Sequence, residues 1–201
     1  MKEMFLNNSL NLLKKHYNYD SDTLDRVTYG LEVIYLSITK IVVILILSII
    51  FNTFKETLLT IIFVNFLRKF AYGLHAKKSW HCYISSTLTF VLLPYIFVII
   101  KFNLIQRILI SILTLISFML YAPADTYKRP LINEKHRNEL KIYTLIISLI
   151  YISLIFIFND NYISNLILLS LIIQSFLINP FIYKVFDLPY NNYKSYKKDC
   201  N

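Results

Sequence analysis

One segment of this chain, from Arg68 to Cys82, holds one of the two cysteines, one of the two glycines, the only tryptophan, and both His75 and His81. A thiol beside an imidazole is the minimum for nucleophilic catalysis, because the base takes the thiol proton and later returns it to a leaving amine. The cations Arg68, Lys69, Lys77 and Lys78 would favour the thiolate. Spacing limits how the parts meet. On one continuous helix His75 and Cys82 share a face but stand about 10.5 Å apart along the axis, beyond the roughly 3 Å that proton transfer needs. The helix must therefore break between them. Gly73 can adopt the left-handed conformation that ends a helix, letting the loop from Ala76 to Trp80 fold His75 back against Cys82. If Cys82 opens the next helix, the helix dipole adds to the thiolate bias. His81 is the competing base, although adjacent side chains point in different directions.

Other readings of the segment stay open. It can be a basic interfacial loop with a buried cysteine and aromatic anchors. A metal site on His75, His81 and Cys82 has less support, since no carboxylate or second cysteine is near. No Asp or Glu occurs between Glu56 and Asp125, so a third catalytic acid must come from elsewhere, with Asp125 the nearest in sequence; a plain Cys-His dyad serves equally. Asp125 belongs to a second informative segment, Tyr121 to Pro130. Pro123 and Pro130 there predict an ordered, non-helical connection presenting Asp125 and the Lys128-Arg129 pair, or simply a positively charged loop. Cys200 is read as a tail thiol without a role, and His16 and His136 as surface residues.

The elements that must position these residues follow from composition. Of 201 residues, 56% are hydrophobic and 16% charged, against about a quarter charged in soluble domains. The apolar residues come in blocks near the length that crosses a bilayer, separated by short basic segments. Two glycines remove glycine-rich nucleotide loops. A net charge of +9 on so apolar a chain points to positively charged cytoplasmic loops and away from nucleic acid. The cysteines suggest neither a disulfide framework nor a zinc knuckle.

The expected class is an all-α polytopic membrane protein, a single membrane domain over residues 1–201 with about six spans. Residues 1–30 form a retained cytoplasmic segment, in which Leu6, Leu10, Leu13 and Tyr17 oppose Asn7, Asn8, Asn11 and Lys15 as on an amphipathic interfacial helix; packing against the protein's own loops is the alternative. Residues 33–183 carry the six spans: Val33 to Phe51, Thr57 to Leu74, Cys82 or Tyr83 to Ile100 with a kink at Pro94, Leu104 to Tyr121, Ile142 to Phe158, and Tyr162 to Tyr183. Cytoplasmic loops cover about 68–81 and 122–141, and residues 184–201 form a basic cytoplasmic tail. The second span is odd. Its apolar stretch from Leu58 to Leu67 covers about 15 Å, half a bilayer core, so it must recruit Arg68 to Leu74 or be re-entrant. With both termini inside, of 21 Lys and Arg only Lys55, Lys101 and Arg107 fall outside, with Lys40 inside the first span, which satisfies the positive-inside bias.

The order Arg68, Gly73, His75-Ala76, Cys82, followed after two spans by Tyr121-Ala-Pro-Ala-Asp-Thr and Lys128-Arg129-Pro130, closely resembles the AgrB family of accessory gene regulator proteins. That resemblance covers nearly the whole chain. It implies a bacterial plasma-membrane cysteine endopeptidase that processes a quorum-sensing pro-peptide, with Cys82 as nucleophile and His75 as its base. Arg68 and Gly73 match further positions needed for activity, and Lys128-Arg129 a basic region linked to substrate handling, with Asp125 beside it. No cofactor or metal is implied. The implied partner is an AgrD-like pro-peptide with an acidic tail, which a basic inner face attracts; membrane lipids surround the protein, and a homodimer is an open alternative. Cys82 would attack the bond before the tail, and the peptide's own cysteine would displace it to close a thiolactone. Two rivals from other classes remain: a transporter in which Lys40, Arg68 and Lys69 line a path for an anion, and a scaffold whose basic loops dock an acidic partner or anionic lipid.

Overall fold

The computed structural model describes residues 2–16, 21–74, 79–126, 131–158 and 161–194, and the regular elements among them are all helices. Internal contacts group the chain into two compact units, Met1–Leu47 and Ser48–Asn201.

The first unit holds α1 (Lys2–His16) and most of α2 (Ser21–Ile50). On α1, Leu6 and Leu10 are half-buried while Asn7, Asn8 and Asn11 are exposed, the division expected from the spacing; Tyr17 lies outside the described residues. The Phe5 ring stands 5.3 Å from that of Tyr35 on α2.

The second unit begins with the turn after α2, where Thr53 N–H donates to the Ser48 carbonyl at 2.7 Å. It continues through α3 (Phe54–Ala71), α4 (Ser79–Thr87), a π-helical turn (Leu88–Leu92), α5 (Leu93–Ile99), α6 (Leu104–Tyr121), α7 (Glu134–Ile157), α8 (Asn161–Ile178) and the short α9 (Pro180–Val185). Short polar residues start several of these helices. Asn103 caps α6 by accepting from Gln106 N–H at 2.8 Å while the Gln106 side chain accepts from Asn103 N–H at 3.0 Å, a reciprocal box that satisfies two orphan donors. Asn133 accepts from Lys135 and His136 at the start of α7. Asn179 does so for α9, with Pro180 in the first position where a missing N–H costs nothing.

α8 is the centre of this unit and packs against α3, α5, α6 and α7. Every residue from Ser164 to Leu171 is buried, as expected for a helix apolar on all sides. Small hydroxyl residues, among them Thr57, Thr60, Ser111, Thr144 and Ser148, are buried at the helix contacts, where they let backbones approach closely. The outer surface is the reverse. Ile105, Leu113 and Leu120 on α6 are 69%, 65% and 65% exposed, an apolar surface too extensive for water and suited to lipid. Among the described residues, four helices are long and apolar enough to cross a membrane: Gly30–Ile50, Leu104–Tyr121, Glu134–Ile157 and Asn161–Ile178. α3, with Lys55, Glu56, Arg68 and Lys69 near its ends, and the apolar run Tyr83–Ile99 are not among them.

At the end of the unit where α8 begins, Arg107 is buried and donates from Nη1 to Ser164 Oγ at 2.8 Å and from Nη2 to Asn161 Oδ1. Asn165 Nδ2 donates at 2.8 Å to both the Phe97 and Ile100 carbonyls, tying down the end of α5.

Several boundaries differ from those read in the sequence, each for a local reason. At Pro94, where the sequence predicts a kink, the structure has a π-helical turn just before the proline, with Leu93 N–H reaching back to the Leu88 carbonyl; a proline has no N–H to donate, and widening the preceding turn accommodates its ring. α7 starts at Glu134, well before Ile142, because the Asn133 cap extends the helix through polar residues. The last span stops at Ile178, where Asn179 leaves the helical conformation with ψ 127°.

Candidate active site

α3 continues past the apolar stretch that ends at Leu67 but stops at Ala71, short of the Leu74 expected for the span. Tyr72 and Gly73 both have positive φ, 58° and 126°, so the chain leaves the helix sharply and runs extended to Leu74. Backbone groups outside a helix must find partners, the more so within lipid, and three elements supply them. Arg68 contributes its carbonyl to Tyr72 N–H at 3.0 Å and its Nη2 to the Leu74 carbonyl at 2.7 Å. Ala124, in the loop after α6, forms a parallel bridge with Tyr72: Ala124 N–H donates to the Ala71 carbonyl and its carbonyl accepts from Gly73 N–H, each at 3.0 Å. The end of α8 completes the set, with the Leu177 carbonyl accepting from Leu74 N–H at 3.0 Å and Gln174 Nε2 donating to the Tyr72 carbonyl at 2.7 Å.

Gly73 is required twice over. Its φ disfavours any side chain, and a Cβ there would stand 3.0 Å from the Leu177 carbonyl oxygen and 3.3 Å from Leu177 Cβ.

Asp125 follows Ala124 and is 2% exposed. Its carboxylate accepts from the N–H groups of Asn192 at 3.0 Å, Tyr193 at 2.8 Å and Leu131 at 3.4 Å. Both oxygens are thus engaged, holding the C-terminal segment against the loop after α6. Tyr183 on α9 reinforces this by donating its hydroxyl to the Asp125 carbonyl at 3.2 Å, and its ring meets Tyr190 edge-on at 5.1 Å. Burial first, then the neighbouring Tyr121, pushes the Tyr190 hydroxyl up to about 12. The Arg137 guanidinium lies 3.8 Å from the centre of the Tyr193 ring, a cation-π contact.

Of the residues singled out from sequence, the structure thus brings Arg68, Gly73 and Asp125 to one small region through the Ala71 to Leu74 segment. Cys82 lies in the first turn of α4, which begins at Ser79; its side chain lies outside the described residues, as do His75, Lys128 and Arg129. Among the described residues no group of His, Cys, Asp and Glu is arranged to hold a metal ion.

The sequence profile described as "Accessory gene regulator B" matches residues 6–178. The chain belongs to the accessory gene regulator B family. Similar members include a putative AgrB-like protein of Clostridium acetobutylicum, 32% identical over 186 residues that cover 92% of this chain and 89% of the relative. The accessory gene regulator protein B of Staphylococcus aureus strain JH9 is 37% identical over 141 residues, 68% of this chain and 75% of its own length. That of strain Newman is 34% identical over 137 residues, 68% and 72% of the two chains. No solved structure is significantly similar.

Sequence reasoning missed several residues that hold this candidate site together, among them Gln174, Leu177, Tyr183, Asn192 and Tyr193. Leu177 takes part through its carbonyl and Asn192 mainly through its N–H, groups that every residue carries. Gln174 did leave a signal, as an amide within an otherwise apolar run.

Proposed function

We propose that this chain is a multi-pass cysteine endopeptidase of the bacterial plasma membrane that removes the C-terminal tail of a quorum-sensing pro-peptide and promotes its closure to a thiolactone. Cys82 is the nucleophile and His75 its base. Arg68 and Gly73 build the turn that leads into His75, Asp125 braces that turn, and Lys128 and Arg129 attract an acidic tail. The observation that carries the reading is the Tyr72 to Leu74 turn, hydrogen-bonded to three separate elements. So expensive an arrangement of non-helical backbone at the end of an apolar bundle is a signature of a positioned site.

In the reaction, the His75 imidazole takes the Cys82 proton and Sγ attacks the carbonyl carbon before the tail. The tetrahedral intermediate expels the tail amine, which takes the proton from His75, leaving a Cys82 thioester. A thiolate on the peptide then attacks that thioester, expels Cys82 and closes the ring. The first turn of α4 favours the thiolate at Cys82 through the helix dipole. Exchanging one thioester for another is nearly balanced, whereas hydrolysis runs downhill, so the site must exclude water, and an apolar bundle offers that.

Six spans fit this reading: the four long apolar helices, α3, and the run Tyr83–Ile99. α3 has 18 residues, about 27 Å, with its charges near its ends, where they reach the interfaces. Both termini are then cytoplasmic, with α1 at the inner interface. Arg68 donates to the Leu74 carbonyl, which favours a positioning role over lining a solute path.

The test is mass spectrometry of an acidic-tailed pro-peptide incubated with the protein in liposomes. Wild type yields free tail and thiolactone, while Cys82→Ala and His75→Ala yield neither. Intact peptide with wild type, or tail release that survives Cys82→Ala, returns the transporter or scaffold.

A further inference from the structure

The lipid-facing surface of the second unit is shorter than a bilayer. On α6 the exposed large apolar residues run from Ile105 to Leu120, and on α7 from Ile142 to Ile157, about 23 Å along each helix. A bilayer core is about 30 Å thick. On α3 the stripe is shorter still. Leu58 and Ile62 are exposed between Lys55 and Asn65, which are exposed on the same face about 15 Å apart; Lys69 continues that face one turn further.

Lys55 and Lys69 can carry their ammonium groups outward on long flexible stems. Asn65 has no such stem. Its short amide stays about 9 Å before the helix end at Ala71, at a depth where hydrocarbon offers a polar group no hydrogen bonds. α6 shows no such recession. The Tyr72–Ala124 bridge sets the ends of α3 and α6 side by side, yet Met119 and Leu120 in the last turn of α6 are exposed and apolar. The edge of the apolar belt therefore steps toward the bilayer centre along α3.

A stripe too short for its membrane is relieved by snorkelling, by self-association or by thinning of the bilayer. The short side chain of Asn65 rules out the first at that position. Helices that associate in lipid do so through small residues, and on α3 Thr57 and Thr60 are buried within the unit, leaving bulky Leu58, Ile62 and Phe66 outside. We propose that this protein thins the bilayer around it, most strongly along α3, and gathers phospholipids with short acyl chains as its surrounding lipid. Thinning there brings the aqueous interface to Asn65, beside the turn from Ala71 to Leu74. The inference rests on the six-span reading above, in which α3 crosses the membrane.

The full-length protein is reconstituted in vesicles holding equal parts of two monounsaturated phosphatidylcholines, with 14-carbon and 22-carbon chains, and is excised with its surrounding lipid by a styrene–maleic acid copolymer. Lipid mass spectrometry should find the short chain enriched about twofold or more over protein-free discs cut from the same vesicles. In vesicles of a single lipid, the thermal unfolding midpoint should be highest at 14 or 16 carbons. Asn65→Leu with Lys69→Leu extends the α3 stripe to Phe70 and should lose about half of the enrichment. The inference is overturned if the two lipids stay in equal parts or the long chain is enriched, if the midpoint is highest at 18 carbons or more, or if the double variant keeps the wild-type enrichment. Should the double variant fail to fold, the wild-type enrichment and midpoints decide alone. Sidedness tests the reading beneath it: in a chain carrying Cys82→Ser and Cys200→Ser, a membrane-impermeant maleimide should label Lys55→Cys and Lys69→Cys from opposite faces of the vesicle. Labelling from one face sinks the crossing of α3, and this inference with it; opposite labelling without a lipid preference sinks this inference alone.

Discussion

The Gly73 N–H donates to the Ala124 carbonyl at 3.0 Å, joining the turn after α3 to the loop after α6. Each partner is then secured from a second side: the neighbouring Leu74 N–H by Leu177, and the neighbouring Asp125 by the C-terminal N–H groups of Asn192 and Tyr193. The site is thus assembled from elements far apart in sequence.

Gly73→Ala should destabilise the protein by about 2 kcal/mol, because alanine at φ 126° is strained and its Cβ meets Leu177 at 3.0 Å. Gly30→Ala is the control: it lies within α2 and has nothing within 4 Å of the added Cβ, so alanine should be neutral or stabilise by up to about 1 kcal/mol. Thermal unfolding in detergent compares the two, and equal shifts would remove the special role given to Gly73.

Replacing Asp125 by Asn puts an NH2 group where an oxygen accepts backbone N–H groups. Residues 188–194 should become faster in amide exchange, with a loss of about 1–3 kcal/mol, and cleavage should fall as the Ala124 partner of Gly73 loosens. If exchange in that segment is unchanged, the carboxylate is not what holds it.

Arg68→Lys keeps the charge but cannot reproduce the planar fork that reaches the Leu74 carbonyl at 2.7 Å. Losing one charge-assisted hydrogen bond should lower kcat/KM about ten- to a hundredfold. A lysine variant with wild-type kinetics would show that charge alone matters there.

Arg107 is buried at the opposite end of α8 from Gln174 and Leu177, bonded to Asn161 and Ser164. Arg107→Met should cost about 2 kcal/mol of stability, yet leave the pH profile of Cys82 alkylation where it was. A shifted profile would reveal coupling along α8 that the hydrogen bonds do not carry.

What the sequence disclosed depended on whether the cause was local. α6 runs from Leu104 to Tyr121 as its apolar pattern predicts, since its start is fixed by Asn103 and Gln106 and its end by the chain turning toward Pro123. The end of α3 beside Gly73 was legible, because a glycine there can take the positive φ that leaves a helix. The carbonyl and N–H partners that hold the turn, from Ala124 and Leu177, were not. Asp125 stood out as an acid, but its engagement by the C-terminal segment could not be read from spacing. Gln174 was visible as a polar residue in an apolar run, and only the fold shows that it meets the turn before His75.

The most direct test of the central claim is an intact-protein mass measurement with a pro-peptide whose own cysteine is replaced by alanine, so that the acyl-enzyme cannot be displaced by ring closure. The account predicts free tail together with a protein heavier by the remaining peptide less one water, the adduct mapping to Cys82 and absent from Cys82→Ala. Tail release without any adduct on Cys82, or with an adduct that persists in Cys82→Ala, would contradict it.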